Sequence, residues 1–185
     1  MDKLIDKKGI VVFGGALLKG AEYEQAYQFM VDIIHDNRGA AIITGGGPGA
    51  MEAANKAAFD NDALSIGFPI TFGKDEKQNK FLHAFKVCDN FTVRKEYLMG
   101  NGLAYIVFPG GFGTADELFE ILTLFQLNRR VKAPIYLVGL DYWKWFELAV
   151  DEMAELGTIR LEDKKLYKIV DINKRLGKVI KNEWN

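Results

Sequence analysis

Residues 107–120, "VFPGGFGTADELFE", place a proline and three glycines between an apolar run and an acidic stretch with helical spacing. Residues 42–55, "IITGGGPGAMEAAN", do nearly the same. Glycine has no Cβ, so its backbone N–H groups can come close to a bound anion, and a helix starting just beyond adds partial positive charge. Gly45, Gly46 and Gly47 in the first turn and Gly110, Gly111 and Gly113 in the second are therefore candidate phosphate ligands. The expectation is that both turns grip one phosphorylated ligand. Neither turn ends in the Gly-Lys-Ser/Thr of a P-loop, and "FGGALLKGAEYE" (13–24) does not spell GxGxxG, which disfavours an ATP or NAD site.

The elements that would carry these turns read as alternating strands and helices. Apolar runs of strand length occupy 9–15, 40–44, 63–68, 104–109 and 134–139, without polar alternation, as in a parallel sheet buried on both faces. Helical spacing marks 22–37, 49–61, 115–130 and 141–157. The pattern predicts a single α/β domain over 1–185: a Rossmann-like, doubly wound, mostly parallel open sheet with helices on both faces. Both glycine turns then lie beyond strand carboxyl ends, where such sheets bind ligands. Residues 69–80, "PITFGKDEKQNK", are expected to form a mobile loop near the ligand. Beyond it lie an extra strand within 81–91, a helix from about Thr92, a short strand from Leu166 to Val170, and a last helix capped by Asp171.

Composition narrows the function classes. A net charge of −1 with scattered Lys and Arg gives no support for a nucleic-acid or anionic-membrane partner, and no long apolar segment suggests a signal or a membrane span. A cytoplasmic protein is expected. His35 and His83 lie far apart, so no metal site is expected, and the one cysteine, Cys88, reads as a small buried hydrophobe. Tyr97, Phe119, Phe125, Tyr142, Trp143 and Trp145 fall at helical spacing and read as core or dimer interface.

The stretches "TGGGPGAMEAANKAA", "FTVRKEYL" and "PGGFGTADELFEILTLFQ" closely resemble the LOG-type family, often labelled possible lysine decarboxylases. Its members are nucleoside 5'-monophosphate phosphoribohydrolases acting on cytokinin ribotides or AMP. The resemblance implies a homodimer with active sites near the subunit interface and hydrolysis with no metal or organic cofactor. It places Pro109, Gly110, Gly111, Gly113 and Thr114 around the 5'-phosphate, with Glu117 as the catalytic glutamate and Arg94 as the catalytic arginine. Lys95 beside Arg94, Gly49 and Met51 of the first motif, and Glu120 three residues after Glu117 join them as candidate substrate contacts. Nothing in the sequence looks like a pyridoxal phosphate site. The first loop departs from the pattern, with Phe13, Gly14, Gly15, Ala16 and Leu17 where relatives often read "FGSAR". A carrier branch of the same superfamily, which binds molybdenum cofactor without catalysis, is the alternative.

Breaking the bond between a base and C1' of ribose builds positive charge on the sugar and negative charge on the base. A carboxylate and a cation meet those needs. Glu117, about one turn beyond Thr114, could bond the ribose hydroxyls, stabilise the cation or orient water. Arg94 could pair with the phosphate or fix the direction of Glu117, but its high pKa makes it a poor general acid. Met51 and Glu52 either face the base or pack and cap, and Asn55 is a weaker candidate.

Overall fold

The computed structural model describes residues 2–70 and 78–173. Seven strands form one sheet in the order β4-β3-β2-β1-β5-β6-β7, and every adjacent pair is parallel. They are β1 Gly9–Phe13, β2 Ala41–Thr44, β3 Ser65–Gly67, β4 Ala84–Phe85, β5 Gly102–Val107, β6 Ile135–Val138 and β7 Lys168–Val170. The helices are α1 Asp2–Ile5, α2 Gly20–Asp36, α3 Ala50–Asp60, α4 Phe91–Gly100, α5 Phe112–Gln126 and α6 Lys144–Glu155, with a 3-10 segment at Leu161–Leu166. The apolar strand runs are buried throughout in β1, β2, β3 and β6, because helices cover both faces.

Chain direction across the sheet reverses at β1. Strands β2, β3 and β4 add on one side of it, and β5, β6 and β7 on the other. Right-handed crossovers running in opposite directions put their helices on opposite faces. Accordingly, α2 and α3 pack with Ile10, Val12, Ile42, Ala104 and Ile106 in one layer. Leu98 of α4, Leu118, Ile121 and Phe125 of α5, and Phe146 and Val150 of α6 pack with Val11, Phe13, Tyr105 and Val107 in the other. Helix α3 presents Ala50, Ala53, Ala54, Ala57 and Ala58, all fully buried, so it lies close to α2 and the sheet.

Several boundaries differ from the sequence reading. Helix α5 begins at Phe112 and not at Ala115, which moves Glu117 from the expected first turn into the second. It ends at Gln126 and not at Arg130, because Asn128 takes a left-handed φ of 52°. Strand β1 stops at Phe13, which releases Gly14 and Gly15 into a loop. The core of the expected mobile loop, 71–77, and the expected last helix beyond Asn173 lie outside the described residues. Cys88 is fully buried, and desolvation pushes its thiol pKa up. Phe125 and Trp143 are core residues, and Tyr97 stacks on Phe68 at 4.8 Å between centroids. Among the described residues, no helix is long and apolar enough to cross a membrane, and no group of His, Cys, Asp and Glu is arranged to hold a metal ion.

Candidate active site

At the reversal point the carboxyl ends of β1 and β5 stand side by side, and the loops leaving them part to open a hollow of about 820 Å³. The β1 loop contributes Gly14 to Lys19, the β5 turn contributes Pro109, Gly110 and Gly111, and α5 contributes Gly113, Thr114 and Glu117. Met51, Arg94, Glu22 and Tyr142 complete the walls. The two loops are stitched together at the base. Gly15 N donates to the Pro109 carbonyl at 2.9 Å, and Ala50 N at the start of α3 donates to the Gly15 carbonyl at 3.1 Å.

The two glycine turns, expected from the sequence to grip one ligand, border adjoining spaces. Gly45, Gly46 and Gly47 line a smaller space of about 110 Å³ that shares Ala16, Met51 and Arg94 with the large one. Strand β1 separates β2 from β5, so the two crests are one strand apart. The first turn is shaped by packing. A Cβ on Gly45 would lie 1.7 Å from Arg94 Nη2, one on Gly47 would lie 2.9 Å from Met51 Cε, and Gly46 and Gly49 have φ values of 78° and 70°.

The second turn differs in kind. A Cβ on Gly110 would meet Thr114 Oγ1 at 2.1 Å, whereas one on Gly111 or Gly113 would meet nothing within 4 Å, and neither has a positive φ. The fold does not require glycine at those two positions, yet both border the hollow. No side chain caps α5 at Gly111, while Asn90 Oδ1 caps α4 by accepting from Val93 N at 3.0 Å. The first-turn N–H groups of α5 are thus left open to an anionic ligand.

Arg94 Nη1 lies 3.1 Å from Glu117 Oε1, with the side chains 12% and 10% exposed. Arg94 Nε also donates to the Phe68 carbonyl at 3.1 Å. Of the two partners left open by sequence, phosphate or Glu117, the protein itself supplies Glu117. Burial pushes the Glu117 carboxyl up to about 7 from 4.5. Arg94 and Lys95 oppose that rise, and Asp116 adds to it. A carboxyl titrating near neutrality can both take and return a proton under ordinary conditions.

Lys95 and Glu120 stand outside the hollow. Lys95 Nζ pairs with Glu120 Oε2 at 2.6 Å and Asp116 Oδ2 at 3.1 Å, bracing α4 against α5 next to the Arg94–Glu117 pair. Several lining residues were missed by sequence reading. The Gly14-Gly15 pair directly after β1 was the available signal, because the strand-order reversal puts that crest beside the β5 crest. Lys19, two residues beyond Leu17, brings a cation to the same wall. Tyr142, read as core or interface, lines the hollow, and its hydroxyl donates to the Gly110 carbonyl.

A protein-family profile described as "Possible lysine decarboxylase" matches residues 51–180. The cytokinin riboside 5'-monophosphate phosphoribohydrolase of Rhodococcoides fascians is 30% identical over 155 residues, covering 82% of this chain and 78% of that one. The chain belongs to the LOG family. A probable member from Oryza sativa subsp. japonica, with the same enzyme name, is 30% identical over 125 residues, covering 66% of this chain and 59% of that relative. By structure, the LOG-family chain resembles the molybdenum cofactor binding protein of Rippkaea orientalis, with a TM-score of 0.69 and 20% identity over 95% of this chain and 96% of that one. That likeness establishes the shared fold.

Gly113→Ala replaces a helical glycine that the fold does not need, so it should raise the Tm by roughly 2–4 °C. The same change should weaken binding of ribose 5-phosphate about tenfold, measured by calorimetry. The Glu117 carboxyl, followed by ¹³C NMR in labelled protein, should titrate at about 7, and Arg94→Met should move it higher by removing the opposing charge. By linkage, this carboxyl's contribution to stability is present below 4.5 and lost as pH rises through about 7, because the folded state binds its proton more tightly.

Proposed function

We propose that the protein is a phosphoribohydrolase that cleaves the N-glycosidic bond of a nucleoside 5'-monophosphate, AMP or a cytokinin ribotide, to free base and ribose 5-phosphate. The observation that carries this reading is the buried Arg94–Glu117 pair facing a hollow whose floor is the open N-terminus of α5. The phosphate is assigned to the N–H groups of Gly111, Gly113 and Thr114, supported by the helix dipole. With the phosphate there, the sugar lies along α5 toward Glu117, in its second turn.

As the bond to the base lengthens, positive charge spreads over C1' and the ring oxygen. The Glu117 carboxylate faces that charge and takes a proton from the attacking water. The hydroxyl goes to C1' and a proton to the departing base. A carboxyl with a pKa of about 7 suits this relay better than one at 4.5, and such help is typically worth about 10²–10⁴-fold. The part of Arg94 is to hold Glu117 charged and aimed, an electrostatic and positioning role.

The reading includes a cytoplasmic homodimer. Leu17, which lines the hollow, and Phe112, between the lining residues Gly111 and Gly113, are 85% and 97% exposed, which supports a second copy covering that edge. A second reading, a carrier of a nucleotide or of molybdenum cofactor, draws on the structural likeness reported above. The buried ion pair weighs against it, since passive carriage gives no reason to hold a carboxyl near neutrality.

Purified protein incubated with AMP, followed by chromatography, should release adenine and ribose 5-phosphate. Glu117→Gln should lose at least about 10²-fold in kcat while still binding ribose 5-phosphate. Tight AMP binding without base release would favour the carrier. Undiminished turnover in Glu117→Gln would remove the assigned role of that residue.

A further inference from the structure

A closed set of buried polar side chains lies beneath the first glycine turn and is not explained by the large hollow. Thr44 ends β2, Asn55 sits on α3, Ser65 begins β3 and Asn79 precedes β4; each is 5% exposed or less. Asn55 is their hub. Its Oδ1 accepts from Thr44 Oγ1 at 2.6 Å and from Asn79 Nδ2 at 3.0 Å, while its Nδ2 donates to Ser65 Oγ at 2.9 Å.

The two partners on Oδ1 both grip the turn. Gly46 N donates to Thr44 Oγ1 at 2.9 Å, Asn79 N donates to the Gly46 carbonyl at 2.8 Å, and Asn79 Nδ2 donates to the Gly47 carbonyl at 3.0 Å. The turn then confines Arg94, whose Nη2 occupies the space a Cβ on Gly45 would fill. Thr44 reaches the same guanidinium by a second route. Its carbonyl accepts from Phe68 N at 2.9 Å, and the Phe68 carbonyl accepts from Arg94 Nε. Four buried polar side chains with mutual bonds are costly unless fully satisfied, and here the bonds run toward main chain that contacts Arg94.

We propose that Asn55 is a positioning residue: through Thr44 and Asn79 it fixes the Gly45–Gly47 turn and the Phe68 carbonyl, and thereby the seat of Arg94 against Glu117. It touches no substrate. Shortening Asn55 removes the shared acceptor, lets a turn with a left-handed Gly46 relax, and loosens the guanidinium. The consequence for turnover rests on the hydrolase reading, whereas the consequence for Glu117 does not. The charged groups facing Glu117 are Arg94 and Lys95 from α4 and Asp116 from α5, with Lys19 and Glu22 across the hollow. A change at Asn55 removes none of these charges and acts on Glu117 only through the placement of Arg94.

The test is a ¹³C NMR titration of Glu117 in wild type, Asn55→Ser, Thr44→Val and Ile33→Ala. Ile33→Ala opens a cavity in the same helical layer without touching the turn. Asn55→Ser and Thr44→Val should raise the Glu117 midpoint by about half a pH unit or more, and Ile33→Ala should leave it where wild type has it. With AMP, the same two variants should lose about tenfold in kcat and shift the acid limb upward, with KM changed by less than about threefold. A wild-type midpoint in both folded variants, or an equal shift in Ile33→Ala, overturns the proposal. If Asn55→Ser fails to fold, Thr44→Val decides alone. Shifted midpoints with no base release by wild type would remove the hydrolase reading and leave the positioning role standing.

Discussion

A carboxylate and a guanidinium, both about nine-tenths out of water and 3.1 Å apart, set the terms for the rest of this molecule. Taking two charges from water is expensive, and removing one partner of such a pair typically costs about 3–5 kcal/mol. The protein meets that cost with geometry. Arg94 comes from α4, where Asn90 caps the helix, and is held at a second point by the Phe68 carbonyl. Glu117 comes from α5, whose Leu118, Ile121 and Phe125 anchor it in the core. Lys95, bridging Asp116 and Glu120, ties the two helices beside the pair.

Each glycine turn then has a distinct task. The second turn leaves the start of α5 bare toward the large hollow, where the proposed reading seats a phosphate with its sugar along the helix toward Glu117. The first turn makes room for the guanidinium, since any side chain at Gly45 would displace it. On that reading, binding and charge placement are divided between two crests separated by β1, and Met51 and Arg94 form the wall between them. The raised pKa of Glu117 comes from burial, against the opposing charge of Arg94: the same desolvation that keeps water from the pair also makes the proton easier to hold near neutral pH.

Much of this was legible in the sequence. Apolar runs without alternation marked the parallel strands, and "PGGFGTADE" marked the strand-to-helix turn that leaves α5 without a side-chain cap, with Glu117 beyond it. Element edges were harder, because tertiary contacts set them: Phe112 joins α5 ahead of Ala115, and Gly14 and Gly15 leave β1 for the site. The glycines of the first turn looked like those of the second because sequence cannot separate a glycine needed by a neighbouring side chain from one with open space beside it. Only the position of Arg94 made that distinction. Lys95 and Glu120 followed motif neighbours into the candidate list, yet helical rotation turns them away from the hollow and toward each other. Tyr142 was hidden among aromatic residues at core-like spacing, and Asn55 among alanines, where no local pattern signals a hydrogen-bond hub.

The most direct test of the central claim is a crystal structure of the Glu117→Gln variant soaked with AMP. The phosphate oxygens should lie about 3 Å from the N–H groups at the start of α5, with C1' beside residue 117 in the large hollow. A phosphate seated instead among Gly45, Gly46 and Gly47, or a sugar turned away from residue 117, would contradict the account.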